Sequence, residues 1–179
     1  MWLAAAAVLG AESVLSGTVT QGWVNASLRF SDPRQEEVLA ALDEGLAAEV
    51  HFQLRLYRRL QGRPTFLGDR LLAERRIAQT ARYDRFAERY VIERQGRRVG
   101  EFSEPAAFLE AFCSLRDFPV GRLSGPLPAP ARGASLPPAE HYLLGRVRLY
   151  PVRVVFPLSL ITLFLPKLAV ESRWLEQEL

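Results

Sequence analysis

Residues 47–59 read AAEVHFQLRLYRR, and this stretch decides the fold class of the chain. Its apolar side chains occupy every second position: Val50, Phe52, Leu54 and Leu56. Polar or amphipathic side chains fill the positions around them: Glu49, His51, Gln53, Arg55 and Tyr57. A period of two predicts a β-strand with one face in the hydrophobic core and the other in water.

Further stretches on both sides of this strand also predict extended structure. Residues 24–30 and 141–155 carry the same one-sided alternation, whereas residues 13–20 and 71–82 carry weaker extended patterns. Residues 86–93 (FAERYVIE) predict a strand that is covered on both faces or lies beside a helix. One-sided polarity is typical of antiparallel sheets, because such sheets can leave one face in water.

Two amphipathic helices interrupt the predicted strands. The first begins at Asp32-Pro33, where Asp32 is a predicted N-cap and Gln35 is placed to complete a capping box. The second is predicted to begin after the cap Ser103 and to end before Pro119. Its apolar positions keep helical spacing: Phe108, Leu109, Phe112, Cys113 and Leu115.

These elements predict a mainly β or α+β fold, either an antiparallel β-sandwich or a curled antiparallel sheet, with two amphipathic helices. Residues 12–179 are predicted to form a single β-rich domain, which suits a chain of 179 residues. Residues 124–138 read SGPLPAPARGASLPP and predict a proline-rich surface loop within that domain.

The first eleven residues, MWLAAAAVLGA, are uncharged and apolar. They are too few to span a bilayer, which needs about 20 residues in a helix. They match the apolar core of a secretory signal, although no basic residue precedes it. Residues 1–11 are therefore predicted to be a signal peptide or an N-terminal apolar anchor.

Composition excludes several classes of function. A net charge of +3 is too small to indicate a nucleic-acid-binding protein. The single cysteine excludes a disulfide framework within one chain and a zinc site built from several cysteines. With two histidines in the chain, we predict no catalytic residue, no metal site and no cofactor.

Two places in the sequence are candidates for reactive centres: Cys113, and the pair Glu49 and His51. Cys113 lies on the apolar stripe of the second helix, where a buried small hydrophobe is more typical than a nucleophile. Glu49 and His51 point to the same side of a strand, about 7 Å apart, but sequence spacing identifies no third metal ligand. An exposed polar face is the favoured interpretation of this pair.

Arginine supplies nearly all of the positive charge, because Lys167 is the only lysine. Arginines occur in three clusters: Arg55, Arg58, Arg59 and Arg63; Arg70, Arg75 and Arg76; and Arg94, Arg97 and Arg98. Aligned strands would make Arg55 and its neighbours part of a stripe that binds an anionic partner. Glutamates are interspersed with these arginines, so a solvated face of mixed charge is the alternative.

The most apolar stretch is residues 154–170, VVFPLSLITLFLPKLAV. Its prolines and Lys167 interrupt it, so we predict packing on the core or docking on a partner, and no transmembrane span in the mature domain. The candidate docking residues are Phe156, Leu158, Leu160, Ile161, Phe164 and Trp174.

The order of these features resembles a family of exported bacterial proteins defined only as a domain of unknown function, DUF family 4390. The resemblance covers residues 15–174 and includes AAEVHFQLRLYRR, ARYDRFAERYVIE, FSEPAAFLEAF and the terminal FPLSLITLF and ESRW. It implies an extracytoplasmic bacterial domain that follows a signal or anchor. It implies no activity and no catalytic residue.

We therefore expect a non-enzymatic binding module of the bacterial cell envelope, periplasmic or otherwise extracytoplasmic. Its expected partner is an envelope protein or an anionic lipid surface, with no nucleic acid. Two alternatives stay open: an envelope hydrolase that uses dispersed carboxylates or a His51 site, and a cytoplasmic adaptor.

Overall fold

A computed structural model of the chain describes residues 12–32, 35–59, 69–123, 141–153 and 169–179. Its elements are β1 (Glu12–Thr20), β2 (Trp23–Ser31), α1 (Gln35–Asp43), β3 (Ala47–Arg58), β4 (Arg70–Asp84), β5 (Arg89–Arg94), β6 (Arg97–Phe102), α2 (Pro105–Phe112), β7 (Ser114–Arg122), β8 (His141–Arg153), β9 (Val170–Glu171) and β10 (Leu175–Glu178). Antiparallel strands dominate these described ranges, and two helices accompany them there, which confirms the predicted fold class.

Some predicted features lie outside the described residues. They are the leader at 1–11, Pro33, the loop at 124–138 and five candidate docking residues: Phe156, Leu158, Leu160, Ile161 and Phe164. Trp174, Arg55, Arg58 and Arg59 are described.

The strands form two sheets. The larger sheet has seven strands in the order β10-β8-β3-β4-β5-β6, and β9 pairs with β8 on the same edge as β10. The smaller sheet has the order β1-β2-β7. Strand β3 pairs with β4 on one side and β8 on the other, so residues 47–58 lie at the centre of the larger sheet.

The smaller sheet packs on the inner face of the larger one. A Cβ added at Gly145 of β8 would lie 3.0 Å from Leu15 of β1, and one added at Gly121 of β7 would lie 2.7 Å from Ala73 of β4. The alternating apolar residues of β3 are at most 1% exposed in the core between the sheets: Val50, Phe52, Leu54 and Leu56. The two sheets thus make a β-sandwich.

Aromatic side chains attach α2 to the part of the larger sheet that the smaller sheet does not cover. The Phe108 ring stacks on Tyr90 of β5 with centroids 4.7 Å apart, and on Phe112 at 5.5 Å. Phe108 and Phe112 are fully buried. This packing explains why the aromatic positions of α2 keep helical spacing.

The second helix is shorter than predicted. It ends at Phe112, and residues up to Arg122 form strand β7, in which Pro119 lies on an edge strand next to a register shift. The buried Gln79 side chain stabilises this end, because its Nε2 donates to the Phe112 carbonyl at 3.0 Å. At the other end Glu104 is the N-cap and makes no side-chain capping bond, so the predicted cap at Ser103 is wrong by one position.

Strand β5 begins at Arg89, three residues later than predicted. Asp84 accepts hydrogen bonds from the backbone N–H groups of Phe86 and Ala87, at 3.0 and 3.1 Å, and holds these residues in a turn. Both bonds lower the pKa of the Asp84 carboxyl, the bond from Ala87 having the larger effect. Phe86 is fully exposed in this turn instead of lying on a strand.

At the first helix, the Gln35 side chain does not form the predicted capping box. Its Nε2 donates to the Phe30 carbonyl at 3.4 Å, and the Gln35 backbone N–H donates to the Asp32 carbonyl at 3.1 Å. Neither of the two helices in the described part of the chain is long and apolar enough to cross a membrane.

Candidate functional site

The outward side of the larger sheet carries polar side chains in register across β4, β3 and β8, and we call this side the outer face. Antiparallel pairing places them in rows: Ala78, His51 and Arg148; Arg76, Gln53 and Arg146; Glu74, Arg55 and Leu144. Neighbouring strands lie about 4.8 Å apart, so side chains of adjacent rows and strands contact one another. The polar alternation of residues 47–59 thus becomes a continuous surface.

The C-terminal residues form an irregular edge along β8. Between β9 and β10, the backbone N–H of Ser172 donates to the Val147 carbonyl, and Ser172 Oγ accepts from the Val147 N–H, both at 2.9 Å. Ser172 is buried, and its side chain replaces a backbone partner that a regular strand would supply. Such an irregularity redirects the side chains that follow it.

Trp174 is the side chain redirected onto the outer face. Its ring lies 4.9 Å from the guanidinium carbon of Arg55 and 4.6 Å from that of Arg146. Each contact of this kind is worth roughly 0.5–1 kcal/mol at an exposed site. Trp174 remains 37% exposed, so its ring is held in place while part of it stays accessible.

Two glutamates fix the arginines of the outer face. Glu74 Oε1 accepts from Gln53 Nε2 at 2.7 Å and from Arg76 Nε at 2.9 Å. These bonds lower the pKa of Glu74, and the bond from Gln53 has the larger effect. Glu171 of β9 pairs with Arg146 and, at 3.0 Å, with Arg148 Nε, and this carboxylate raises the pKa of Arg148.

Of the predicted arginine cluster, Arg55 and Arg59 take part in the outer face. Arg59 donates to Glu178 at 2.7 Å and to Glu176 at 2.9 Å, and it lies 5.2 Å from the centroid of the Tyr142 ring. Glu178 is the main cause of the raised pKa of Arg59. Arg58 is opposite His141 in the sheet and is out of phase with its two neighbours, so the three arginines do not form one stripe.

Tyr142 extends the outer face toward the N-terminal end of β8. Its ring stacks on Tyr57, with centroids 5.2 Å apart and an interplanar angle of 8°, and its hydroxyl donates to Asp69 at 2.8 Å. Burial is the largest cause that raises the pKa of Tyr142, followed by the bond to Asp69. The end of the face is therefore rigid and aromatic.

A pocket of about 300 Å³ opens in the first two rows of the outer face. Side chains of three strands surround it: His51, Gln53, Arg76, Ala78, Arg146 and Arg148. Ala78 has a much smaller side chain than its neighbours, which leaves the depression. Among the described residues, the lining contains three arginines and no carboxylate.

His51 is close to Glu49, as predicted. His51 Nε2 lies 2.9 Å from Glu49 Oε1, and the ring lies 5.2 Å from that of Tyr150. Within the described residues no group of three His, Cys, Asp or Glu side chains is placed to hold a metal ion. His141 is seven residues from Arg148 along β8, about 23 Å from the row that contains His51, so the two histidines do not meet.

Cys113 is placed as the hydrophobic interpretation predicted. It lies at the C-terminal end of α2 and is 1% exposed. Burial raises the pKa of its thiol to about 11, which opposes formation of a nucleophilic thiolate.

A comparison with known families supports the order of features found in the sequence. A family model described as "Domain of unknown function (DUF4390)" matches residues 14–178. The chain belongs to this family. No curated protein and no solved structure matches the chain. The DUF4390 match begins in β1 and ends in β10, so both sheets and the outer face belong to the family domain.

Sequence analysis does not identify several residues of the DUF4390 outer face as candidates: Gln53, Arg146, Arg148 and Glu171. Arg76 belongs to the second arginine cluster of the sequence. The sequence shows the alternation of polar side chains in β3 and β8. It does not show which strands are neighbours in the sheet. The sequence analysis groups Trp174 with the apolar docking residues of the C-terminal segment, whereas the structure places its ring in contact with two guanidinium groups.

Proposed function

We propose that this DUF4390 domain is a non-enzymatic interaction module of the bacterial cell envelope, and that its outer face binds a protein partner outside the cytoplasm. The observation that carries the proposal is Trp174, which is held between Arg55 and Arg146 and is still 37% exposed. Tryptophan, tyrosine and arginine are the residue types that contribute most to protein–protein binding. A fixed ring loses little conformational entropy when a partner covers it.

The charges of the outer face favour a protein over an anionic lipid surface. Its arginines have glutamate partners: Arg55 and Arg76 with Glu74, Arg146 and Arg148 with Glu171, and Arg59 with Glu176 and Glu178. Attraction to anionic lipid depends on an excess of basic residues near the membrane. Alternating charges instead suit a protein surface with complementary charges.

The location outside the cytoplasm rests on the apolar residues 1–11, which match the core of a secretory signal. Fractionation of cells that express a C-terminally tagged copy with its native N-terminus tests this part. We expect the tagged protein in the periplasmic or membrane fraction. Recovery only in the cytosol would favour the cytoplasmic adaptor and contradict the proposed location.

Site-specific photocrosslinking in cells tests the binding face. The photoreactive residue replaces Arg76, whose side chain is 74% exposed on the outer face, or Arg29, which is 67% exposed on the smaller sheet. We expect a discrete protein adduct from position 76, none from position 29, and loss of the adduct in Trp174→Ala. Equal adducts from both positions, or adducts with lipid alone, would contradict a specific protein partner.

The apolar candidates from Phe156 to Phe164 are proposed as a second contact surface. A test of these residues has to leave the strands of the larger sheet in place. Deletion of everything from Phe156 onward would also remove β9, β10 and Trp174. Serine substitutions at the five positions keep those strands: Phe156, Leu158, Leu160, Ile161 and Phe164. We expect the adduct from position 76 to weaken while the melting temperature is retained. A large loss of melting temperature would place these residues in the core.

The hydrolase alternative makes a different prediction for the purified domain. Its His51 site would lose turnover in His51→Gln, whereas the interaction module has no turnover to lose. Hydrolysis by the wild-type protein that His51→Gln abolishes would overturn the non-enzymatic proposal.

A further inference from the structure

The pocket on the outer face has guanidinium groups on opposite sides. Arg76 approaches from β4 and Arg148 from β8, with β3 between them and in adjacent rows, so their backbones are about 12 Å apart along the diagonal. Ala78 and His51 occupy the same row as Arg148 and leave the space between the arginines open. The result is a cavity of about 300 Å³ that is open to solvent.

The glutamate partners leave the terminal nitrogens of Arg76 available. Glu74 binds this guanidinium at Nε, and in the described part of the chain its two terminal nitrogens donate to no other residue. Arg148 is paired with Glu171 through Nε, at 3.0 Å. Both glutamates lie outside the pocket lining. They orient the arginines without filling the cavity.

The cavity side of the lining presents hydrogen-bond donors of positive charge. Three guanidinium groups line one cavity, and the carboxylates that pair with them, Glu74 and Glu171, lie outside its lining. An anion placed between the guanidinium groups gains hydrogen bonds to them. The planar guanidinium group donates two parallel N–H bonds to carboxylate or phosphate oxygens.

A phosphate group matches this arrangement better than a carboxylate. A carboxylate has two oxygens in one plane, which one guanidinium satisfies, whereas a phosphate presents oxygens in several directions and can bind Arg76 and Arg148 at once. Gln53 and His51 add polar groups between the arginines. The volume is at the lower end of the range for small-molecule sites, which suits a phosphate group with a small substituent.

We propose that the pocket formed by His51, Gln53, Arg76, Arg146 and Arg148 over Ala78 binds the phosphate group of a phosphate monoester. This binding requires no protein partner and no turnover, so it goes beyond the interaction role proposed above. The same chemistry occurs in a soluble phosphate ester and in a lipid headgroup with a terminal phosphate, and the test separates these sources.

Calorimetric titration of the purified domain tests the site, with inorganic phosphate and with glycerol 3-phosphate as probes. We expect a Kd of about 1 mM or tighter for glycerol 3-phosphate. Arg76→Gln is expected to weaken binding about tenfold or more, because it removes one of the two guanidinium groups that donate to the phosphate from opposite sides. Ala78→Val fills the cavity without a change of charge and is expected to weaken binding similarly.

Arg29→Gln is the matched control, because it makes the same charge change on the smaller sheet, far from the pocket. It is expected to bind as the wild type does, and unchanged melting temperatures would show that all variants are folded. No binding of either probe, equal losses in Arg29→Gln and Arg76→Gln, or wild-type binding by Ala78→Val would each overturn the proposal.

A vesicle arm identifies the source of the phosphate. Vesicles of phosphatidylcholine with phosphatidic acid carry a terminal phosphate. Vesicles with phosphatidylglycerol, at a mole fraction adjusted to give the same surface charge, carry a phosphodiester. Pocket-dependent binding of phosphatidic acid vesicles together with glycerol 3-phosphate would support a lipid source, and binding of the soluble ester alone would support a metabolite. Vesicle binding that Ala78→Val leaves unchanged, without binding of the ester, would overturn the site.

Discussion

The two faces of strand β3 share one backbone and one spacing, but they are organised by different forces. On the inner face Val50, Phe52 and Leu54 are at most 1% exposed and are stabilised by the area that they remove from water. On the outer face His51, Gln53 and Arg55 remain partly exposed and are placed by ion pairs, hydrogen bonds and aromatic contacts. Burial of this kind stabilises the fold, whereas exposed polar pairs contribute little to it.

The outer face of β3 is therefore the side on which function is expected. Side chains that are held in a defined geometry but contribute little to the stability of the fold are available to bind a partner or a ligand. The outer face has this property over several strands, and the exposed part of Trp174 and the arginine-lined pocket both lie on it.

Truncation of the inner face is expected to have the largest effect. Phe52→Ala should lower the free energy of unfolding by about 3–5 kcal/mol, because it leaves a cavity between the sheets. Urea unfolding measures this loss, and Gln53→Ala is the neighbouring control on the outer face, with an expected loss of about 1 kcal/mol. Equal losses in the two variants would remove the distinction between the faces.

The inner side of the larger sheet also contains a polar residue, Gln79, whose side chain forms hydrogen bonds. Gln79 is fully buried, donates to the Phe112 carbonyl and accepts from Arg94 at 2.7 and 2.9 Å. Burial lowers the pKa of Arg94, so loss of its acceptor leaves a partly desolvated cation. Gln79→Leu should therefore lower the free energy of unfolding by about 2–3 kcal/mol.

The same substitution at Gln53 is the control for Gln79→Leu. Gln53 lies on the partly exposed outer face, where water replaces the lost hydrogen bonds, so Gln53→Leu should lower the free energy of unfolding by about 1 kcal/mol. A larger loss at position 53 than at position 79 would show that the outer face carries the structural network.

Trp174 should separate stability from binding. Trp174→Ala removes contacts with two guanidinium groups and should lower the free energy of unfolding by about 1 kcal/mol. The crosslink from position 76 should disappear in this variant and persist in Trp174→Phe, which keeps an aromatic ring. Retention of the crosslink in Trp174→Ala would remove this residue from the binding surface.

The smallest effect is expected at Cys113. A pKa of about 11 leaves roughly one thiol in a thousand ionised at pH 8, and burial blocks reagents as well. A disulfide reagent should therefore react at pH 8 only after unfolding in urea. The pKa is raised on folding, so the thiol's contribution to stability falls as pH rises from about 9 to 11. Rapid reaction of the native thiol would contradict its burial.

The sequence predicted the faces of β3 and β8 because a period of two is a local property of the chain. It misplaced the end of α2 because Phe112, Cys113 and Leu115 fit both a helix and the start of a buried strand. The contact that ends the helix comes from Gln79, over thirty positions earlier in the chain. Such a contact leaves no local signal.

The candidate site was predictable only in part for the same reason. Periodicity identified Arg55 as outward-facing, but only strand order places Arg76 and Arg146 on either side of Gln53. The pocket depends on the small side chain of Ala78. An alanine gives no signal in a sequence, but between larger side chains in the sheet it leaves the space that forms the pocket. Trp174 reaches the face through an irregular edge at Ser172, which no pattern indicated.

Urea unfolding of the triple variant Arg76→Gln/Arg148→Gln/Trp174→Ala tests most directly whether the outer face is dispensable for folding. The variant should unfold in one cooperative transition and lose less free energy of unfolding than Phe52→Ala loses alone. A larger loss than that of Phe52→Ala, or failure of the triple variant to fold, would show that the outer face is part of the structural core.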